Sequence, residues 1–377
     1  MVDIKIVQNE DDLNEFVQLP FKLYKDNEYW VGPLISDYKK YVTGKTSAVN
    51  AVGPSIMAIA KKDGEVVGRI LVGINRKLND YHKIKDSYFS QYESIDDQEV
   101  ANKLIDFAKN WAKENGSNKL KGPMSLPGGD DNRGFLLDKF DDMPFIQNVY
   151  NFEYYHEQML QANLKKYHDC YAFKLKPEFV MNERLEKIIP YAMQKYKFRL
   201  DTIKLDDHNL KKDVADILEI VNKAMPNNDD WVDFMPYGKE EVDAMVNAMK
   251  PFADTDVILI ARNNEGKPIG FNVTMPDYNQ VIKRMNGKMN PITMLKYLYY
   301  KRKIDRMRVF ILFVVPEYRN KGVTQAMYLE MLKRIVAKGY KEVEGSTIWD
   351  YNTPMINDIT KLGGKLNKTY RVYQIDL

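Results

Sequence analysis

Phe310-Ile311-Leu312-Phe313-Val314-Val315-Pro316-Glu317-Tyr318-Arg319-Asn320-Lys321-Gly322-Val323-Thr324 passes from an apolar strand into a helix, and the fold is read outward from it. Val309 to Val315 is a nearly unbroken β-branched and aromatic run, the pattern of a strand covered on both faces. Pro316 has no N–H to give to a ladder, so the strand ends there. Val323, Ala326, Met327, Leu329, Met331, Leu332, Ile335 and Val336 then form the apolar stripe of a helix, with Lys338-Gly339 as its stop. The first turn of that helix offers backbone N–H groups without intrahelical partners and the positive end of the macrodipole. Gly322 allows an anion close to the backbone, while Arg319 and Lys321 add full charges. A diphosphate is the ligand that uses all three features.

The composition of the whole 377-residue chain narrows the possibilities. The length predicts two or three domains, and 44% hydrophobic residues suffice for proper cores. Lys+Arg of 56 against Asp+Glu of 53 leaves a net charge of +3, which argues against nucleic acid as the main partner. The single Cys170 excludes an intrachain disulfide, and Met1 to Val7 has neither a charged nor an apolar signal region, so a cytoplasmic protein is expected. No apolar run approaches the roughly 20 residues needed to span a bilayer. A monomer or homodimer is expected.

Elements recur in the same order along the two halves. Ile56 to Lys61 and Val66 to Ile74 predict a hairpin about Asp63-Gly64, and Val257 to Arg262 with Pro268 to Met275 predict another about Glu265-Gly266. Gly68 and Gly270 match at an offset of 202, whereas Gly116/Gly339 and Gly122/Gly345 match at 223, so the second half holds 21 extra residues, assigned to Asp277–Lys303. Asn151 against Asn352 returns the offset to 201, so the Gly128-Gly129-Asp130-Asp131-Asn132-Arg133-Gly134 loop, within residues 124–145, is an insertion in the first half. Two copies of one fold are expected, over residues 1–177 and 178–377.

Strand, Val-x-Pro-x-x-Arg-x-x-Gly and a long helix resemble the acyl-CoA motif of the GNAT N-acetyltransferase superfamily, with Thr324 where the family has Gly or Ala. The element order of both halves resembles the same fold. The resemblance implies a mixed α/β chain of two tandem GNAT folds, each a mostly antiparallel sheet flanked by helices. It also implies acetyl-CoA or another acyl-CoA held by Phe313, Val314, Val315, Arg319, Asn320, Lys321, Gly322, Val323 and Thr324, with Asn352 meeting the pantetheine arm. In the first copy the motif position reads Ser94-Ile95-Asp96-Asp97-Gln98-Glu99; its carboxylates cap the following helix and repel a pyrophosphate, so one cofactor per chain is expected. Family members often carry a tyrosine a few residues into the last helix as general acid. Here Met355, Ile356, Asn357, Asp358 and Ile359 stand there, and no catalytic residue is assigned, although Tyr351, Tyr370 and Tyr373 are near in sequence.

Other constellations carry less. Asn227-Asn228-Asp229-Asp230-Trp231-Val232-Asp233-Phe234 offers three carboxylates to an amine but reads first as a solvated acidic turn. Lys296-Tyr297-Leu298-Tyr299-Tyr300-Lys301-Arg302-Lys303 reads as a buried aromatic face with solvated cations, an anionic substrate or lipid surface being the alternative. Asp130 and Asp131 lack His or Cys partners and define no metal site, and His82, His156, His168 and His208 are scattered. The expected function is acyl-CoA-dependent N-acyl transfer, acetyl in the first instance, to an amine of a small molecule or peptide that sits between the copies. The alternative is a non-catalytic protein that binds acyl-CoA or a peptide.

Overall fold

A computed structural model describes residues 1–47, 49–126, 132–177, 183–204, 206–225 and 233–377. Asp130, Asp131 and Asn227 to Val232, singled out above, lie outside the described residues. The chain forms two compact units that interleave along the sequence: Met1–Tyr171 with Tyr278–Lys303 and Asn367–Leu377, and Ala172–Asp277 with Ile304–Leu366.

In the first unit β1 (Val2–Ile6), β2 (Ser55–Lys62), β3 (Glu65–Gly73) and β4 (Asp86–Ser94) pair antiparallel in sequence order. Asp63 at φ 53° and Gly64 at φ 81° make the predicted hairpin turn between β2 and β3. β5 (Lys119–Gly122) joins β4 in parallel, because a helix must return the chain to the same sheet end. That helix is α4 (Gln98–Glu114), preceded by α1 (Glu10–Leu23), α2 (Ile35–Val42) and α3 (Arg76–His82). It buries Val100, Ala101, Leu104, Ile105 and Ala108, spaced as one helical stripe, against Ile70, Val72 and Phe89. β6 (Phe135–Leu136), α5 (Tyr155–Gln161) and β7 (Lys165–Leu175) follow. The place beside β5 is taken by the last strand of the chain, β13 (Lys365–Asp376), with Tyr373 opposite Gly122.

In the second unit α6 (Glu183–Tyr196) leads into β8 (Phe198–Thr202), α7 (Asp207–Ala224) and α8 (Lys239–Met249). β9 (Leu259–Asn263) and β10 (Pro268–Pro276) form the second predicted hairpin, and every residue of β10 is buried. Within the first unit, α9 (Asn279–Ile282) and α10 (Pro291–Lys301) make up the expected insertion. β11 (Arg306–Val314) pairs antiparallel with β10 and parallel with β12 (Glu342–Trp349), the two joined by α11 (Val323–Ala337); α12 (Thr353–Lys361) follows. Gly68 and Gly270, which match between the halves, have a packing cause. A Cβ on Gly68 would meet Leu104 and Val100 of α4 within 2.9 Å, and one on Gly270 would meet the Phe313 carbonyl at 3.0 Å and Met327 of α11 at 3.4 Å.

Candidate active site

β11 and β12 hold together for four register pairs only, Arg306↔Glu342 to Val309↔Gly345. Beyond these, β11 keeps its ladder to β10, but its other edge has no ladder partner among the described residues. The register of β10 skips Phe310, placing a bulge where the two parallel strands part. An opening between parallel strands exposes a row of main-chain donors and acceptors that a linear, amide-bearing ligand can pair with.

Charged side chains hold the vertex of this opening. Arg308, only 1% exposed, donates through Nε and Nη2 to the Ser346 carbonyl at 3.2 and 2.9 Å and through Nε to Ser346 Oγ at 3.0 Å. Ser346 Oγ donates to Glu344 Oε1 at 2.8 Å, and the Arg308 guanidinium lies 4.3 Å from the Phe310 ring centroid. Sequence reasoning missed this group. Its signal was Arg306-Met-Arg308 set against Glu342-Val-Glu344, which becomes a charge pairing once the two strands are in parallel register.

At the end of β11 the chain makes one 3-10 turn, Pro316–Tyr318, and enters α11 through Asn320 at φ 59° and Gly322 at φ 82°. Gly322 is the N-cap residue and makes no side-chain cap, so among the described residues the first-turn N–H groups of Val323 and Thr324 have no side-chain acceptor. Arg319 does something other than expected. Its Nη2 donates to the Ala224 carbonyl at the end of α7 (2.6 Å) and its Nε to the Val314 carbonyl (3.3 Å), so it ties the loop to its surroundings. Lys321 keeps its ammonium 4.9 Å from the Tyr318 ring centroid and 5.9 Å from that of Tyr196. The other face of α6 thereby enters the site: Lys195 lies 5.3 Å from the same Tyr196 ring, and Ala192 sits where a Gly322 Cβ would come within 3.2 Å. Phe313 is half-buried, Val314 and Val315 are buried, and the Val315 N–H is given to the Ile269 carbonyl at 2.9 Å.

Asn352 caps α12, its side chain accepting from the Met355 N–H at 3.3 Å. Ile359 is fully buried. Asp358 accepts from Gln325 Nε2 at 3.2 Å, and burial raises its pKa above the ordinary carboxylate value. Burial likewise raises the Tyr328 hydroxyl, which faces the Met355 sulfur at 3.7 Å. Tyr351 stacks on Trp349, with centroids 5.6 Å apart. Tyr370 and Tyr373 belong to the first unit. A separate groove lined by Asp201, Lys204, Asp213, Asp256, Arg262 and Arg334 has its central charge neutralised, since Arg262 pairs with Asp201, Asp213 and Asp216.

No family model matches the chain. Among proteins with curated names it is 25% identical over 378 residues to Protein YghO of Escherichia coli (98% of this chain, 94% of that protein) and 23% identical over 380 residues to a bacterial ceramide synthase of Caulobacter vibrioides (98% and 96%). Among solved structures it superposes over its whole length on a tandem GNAT protein from the clavulanic acid biosynthesis pathway, with a TM-score of 0.59, 11% identity and 98% of that chain covered. The fold is a tandem GNAT fold. It also matches the GNAT glucosamine N-acetyltransferase region of a fungal multi-domain β-N-acetylglucosaminidase (TM-score 0.61, 11% identity), spanning 38% of that longer chain.

The two GNAT copies treat the equivalent opening differently. In the first copy β4 and β5 also pair over a short parallel stretch, Asp86↔Lys119 to Tyr88↔Lys121. There, however, the end of β4 is taken up by tyrosines: the Ser94 N–H donates to Tyr155 Oη (3.0 Å) and Tyr154 Oη donates to the Ser94 carbonyl (2.8 Å). Glu93 accepts from Tyr24 and Tyr155 at 2.8 and 2.7 Å, and Phe135 packs between Tyr92 and Tyr155. The helix end is closed as well, by the Asp97 carboxylate accepting from the Glu99 N–H. Among the described residues, the second GNAT copy puts no ladder partner on that strand edge and no side-chain cap on that helix end.

Proposed function

We propose that the chain is an acyl-CoA-dependent N-acyltransferase, transferring an acetyl or longer acyl group to an amine of a small molecule or peptide. The observation that carries this reading is the parting of β11 from β12 directly before an uncapped helix end in the second copy. The first-turn N–H groups of Val323 and Thr324, with Asn320, Lys321 and Gly322, take the diphosphate; Lys195 adds a cation from α6. Arg319 shapes this loop through its two carbonyl bonds and leaves other donors of its fork for phosphate. Phe313 and Val314 present the open strand edge to the pantetheine arm, Val315 packs beneath it, and Asn352 lies at the mouth of α12.

In the reaction the amine would attack the thioester carbonyl directly: the C–N bond forms, the C–S bond breaks, and the proton lost by the amine leaves with CoA as its thiol. Main-chain N–H groups on the open edge of β11 stabilise the developing oxyanion, and positioning supplies much of the rate. A ceramide is an amide, so the name of the Caulobacter vibrioides relative agrees with acylation of nitrogen.

Calorimetry with acetyl-CoA and a long-chain acyl-CoA tests the binding half. One site per chain is expected. Gly322→Asn, which keeps the left-handed backbone and adds no charge, should retain measurable affinity, while Gly322→Asp should lose it. Equal binding by the aspartate variant, or two sites, overturns the assignment. Amine-dependent release of the CoA thiol tests turnover, and binding without release on any amine would leave a binding protein instead.

A further inference from the structure

We propose that α10 is an interfacial helix that seats the protein on an anionic lipid surface. The inference is independent of the acyl-transfer reading, because it concerns the first unit and none of the residues assigned above.

The segment that leads into the helix is anchored, and Thr293 anchors the helix itself. Tyr278, Val281, Met285 and Thr293 are buried, the Ile35 N–H donates to the Gly287 carbonyl at 2.9 Å, and Asn279 Nδ2 donates to the Pro144 carbonyl at 2.9 Å. Its start is specified locally: Pro291 follows Asn290, and Asn290 and Thr293 exchange side-chain and backbone bonds as a capping box. A helix so held needs no apolar outer face for its own stability. Yet Met289, Ile292, Met294, Leu295, Leu298 and Tyr299 are 40–69% exposed, against the expectation of a buried aromatic face. At ~100° per residue, the five of these that lie within the helix cover one continuous arc of roughly 160°. Only tertiary packing reveals that this arc points to solvent.

Charge identifies the occupant. Residues 279–303 carry seven cations and no carboxylate, although the whole chain nets only +3, so the remainder of the chain nets −4. Lys296 and Lys303 border one edge of the apolar arc and Lys301 the other, with Arg302 at its end, and all four are exposed. An isologous contact with a second copy would set seven cations against seven, which is repulsive. Anionic headgroups meet the cations while the arc enters the acyl boundary. The helix is about 16 Å long, so it lies in the surface plane.

Flotation of the full-length protein with phosphatidylcholine vesicles, with and without phosphatidylglycerol, tests this. The wild type should float with the anionic vesicles and release at high salt. Ile292→Glu combined with Leu295→Glu should lower vesicle binding at least tenfold, with thermal unfolding and acyl-CoA affinity in solution unchanged. Lys296→Glu with Lys303→Glu should abolish the preference for anionic lipid. A wild type that stays with neither vesicle, or a double-glutamate variant that floats as well as the wild type, overturns the proposal. So does light scattering that shows a dimer broken by the glutamates, since a second copy would then cover the arc.

Discussion

Glu93 shows how one buried residue can set the pH response of the unit that holds it. Its carboxyl is enclosed with the hydroxyls of Tyr24 and Tyr155, with Arg69 Nη2 at 3.5 Å. Burial raises its pKa, and Arg69 and the two hydroxyls oppose that rise only in part. A carboxyl raised in the folded state binds its proton more tightly there than in the unfolded chain. Its stabilising contribution is therefore complete below the ordinary carboxylate pKa and is lost as pH rises through the folded value. Glu93→Gln keeps an acceptor for the tyrosines and does not titrate, so urea unfolding should find the variant gaining on the wild type from about pH 4 upward. Parallel pH curves would show that folding leaves the Glu93 pKa unshifted. At this scale the sequence was legible where a residue acts on its own neighbours: Pro316 ends β11 and Gly322 opens α11 as read. It was not legible where the partner lies far along the chain, as with Arg308 and Ser346 or Arg319 and the Ala224 carbonyl.

Among the elements, the β11–α11 loop depends on that last bond for its shape. The Ala224 carbonyl is the final acceptor of α7, so Arg319 serves as a remote C-cap for α7 while fixing the turn into α11. Arg319→Ala should lower stability by about 1–3 kcal/mol even without ligand, since hydrogen bonds from a charged donor are lost, and should weaken acyl-CoA binding as well. A variant that binds less tightly but unfolds at the wild-type midpoint would confine Arg319 to phosphate contact. Element type was read well where an apolar period ran unbroken, as in α4 and α11. α3 and α6 escaped notice: α3 is a single short helix, and the Pro190 within α6 reads as a breaker.

On the scale of the whole molecule, repeat and compact unit are different divisions of one chain. The sequence reading expects the repeat boundary at 177/178, whereas by contact residues 278–303 and 367–377 group with the first unit. Sequence periodicity carries no signal for that, because a strand's pattern names its faces and not its neighbours. A fragment of residues 179–377 would therefore expose Tyr278, Val281, Met285, Val372 and Tyr373, all buried in the full chain. It should aggregate when expressed alone and become soluble when co-expressed with residues 1–178; a soluble, monomeric fragment by itself would contradict this. The same strand exchange bears on birth. When residue 171 leaves the ribosome, the first unit still lacks β13, whose Tyr373, Ile375 and the following Leu377 pack into its core. Roughly 200 further residues must be translated before that strand exists, a delay of about 10–40 s at ordinary elongation rates. For that interval the nascent chain presents an open β5 edge, which makes it a natural client for chaperones that shield unpaired strands.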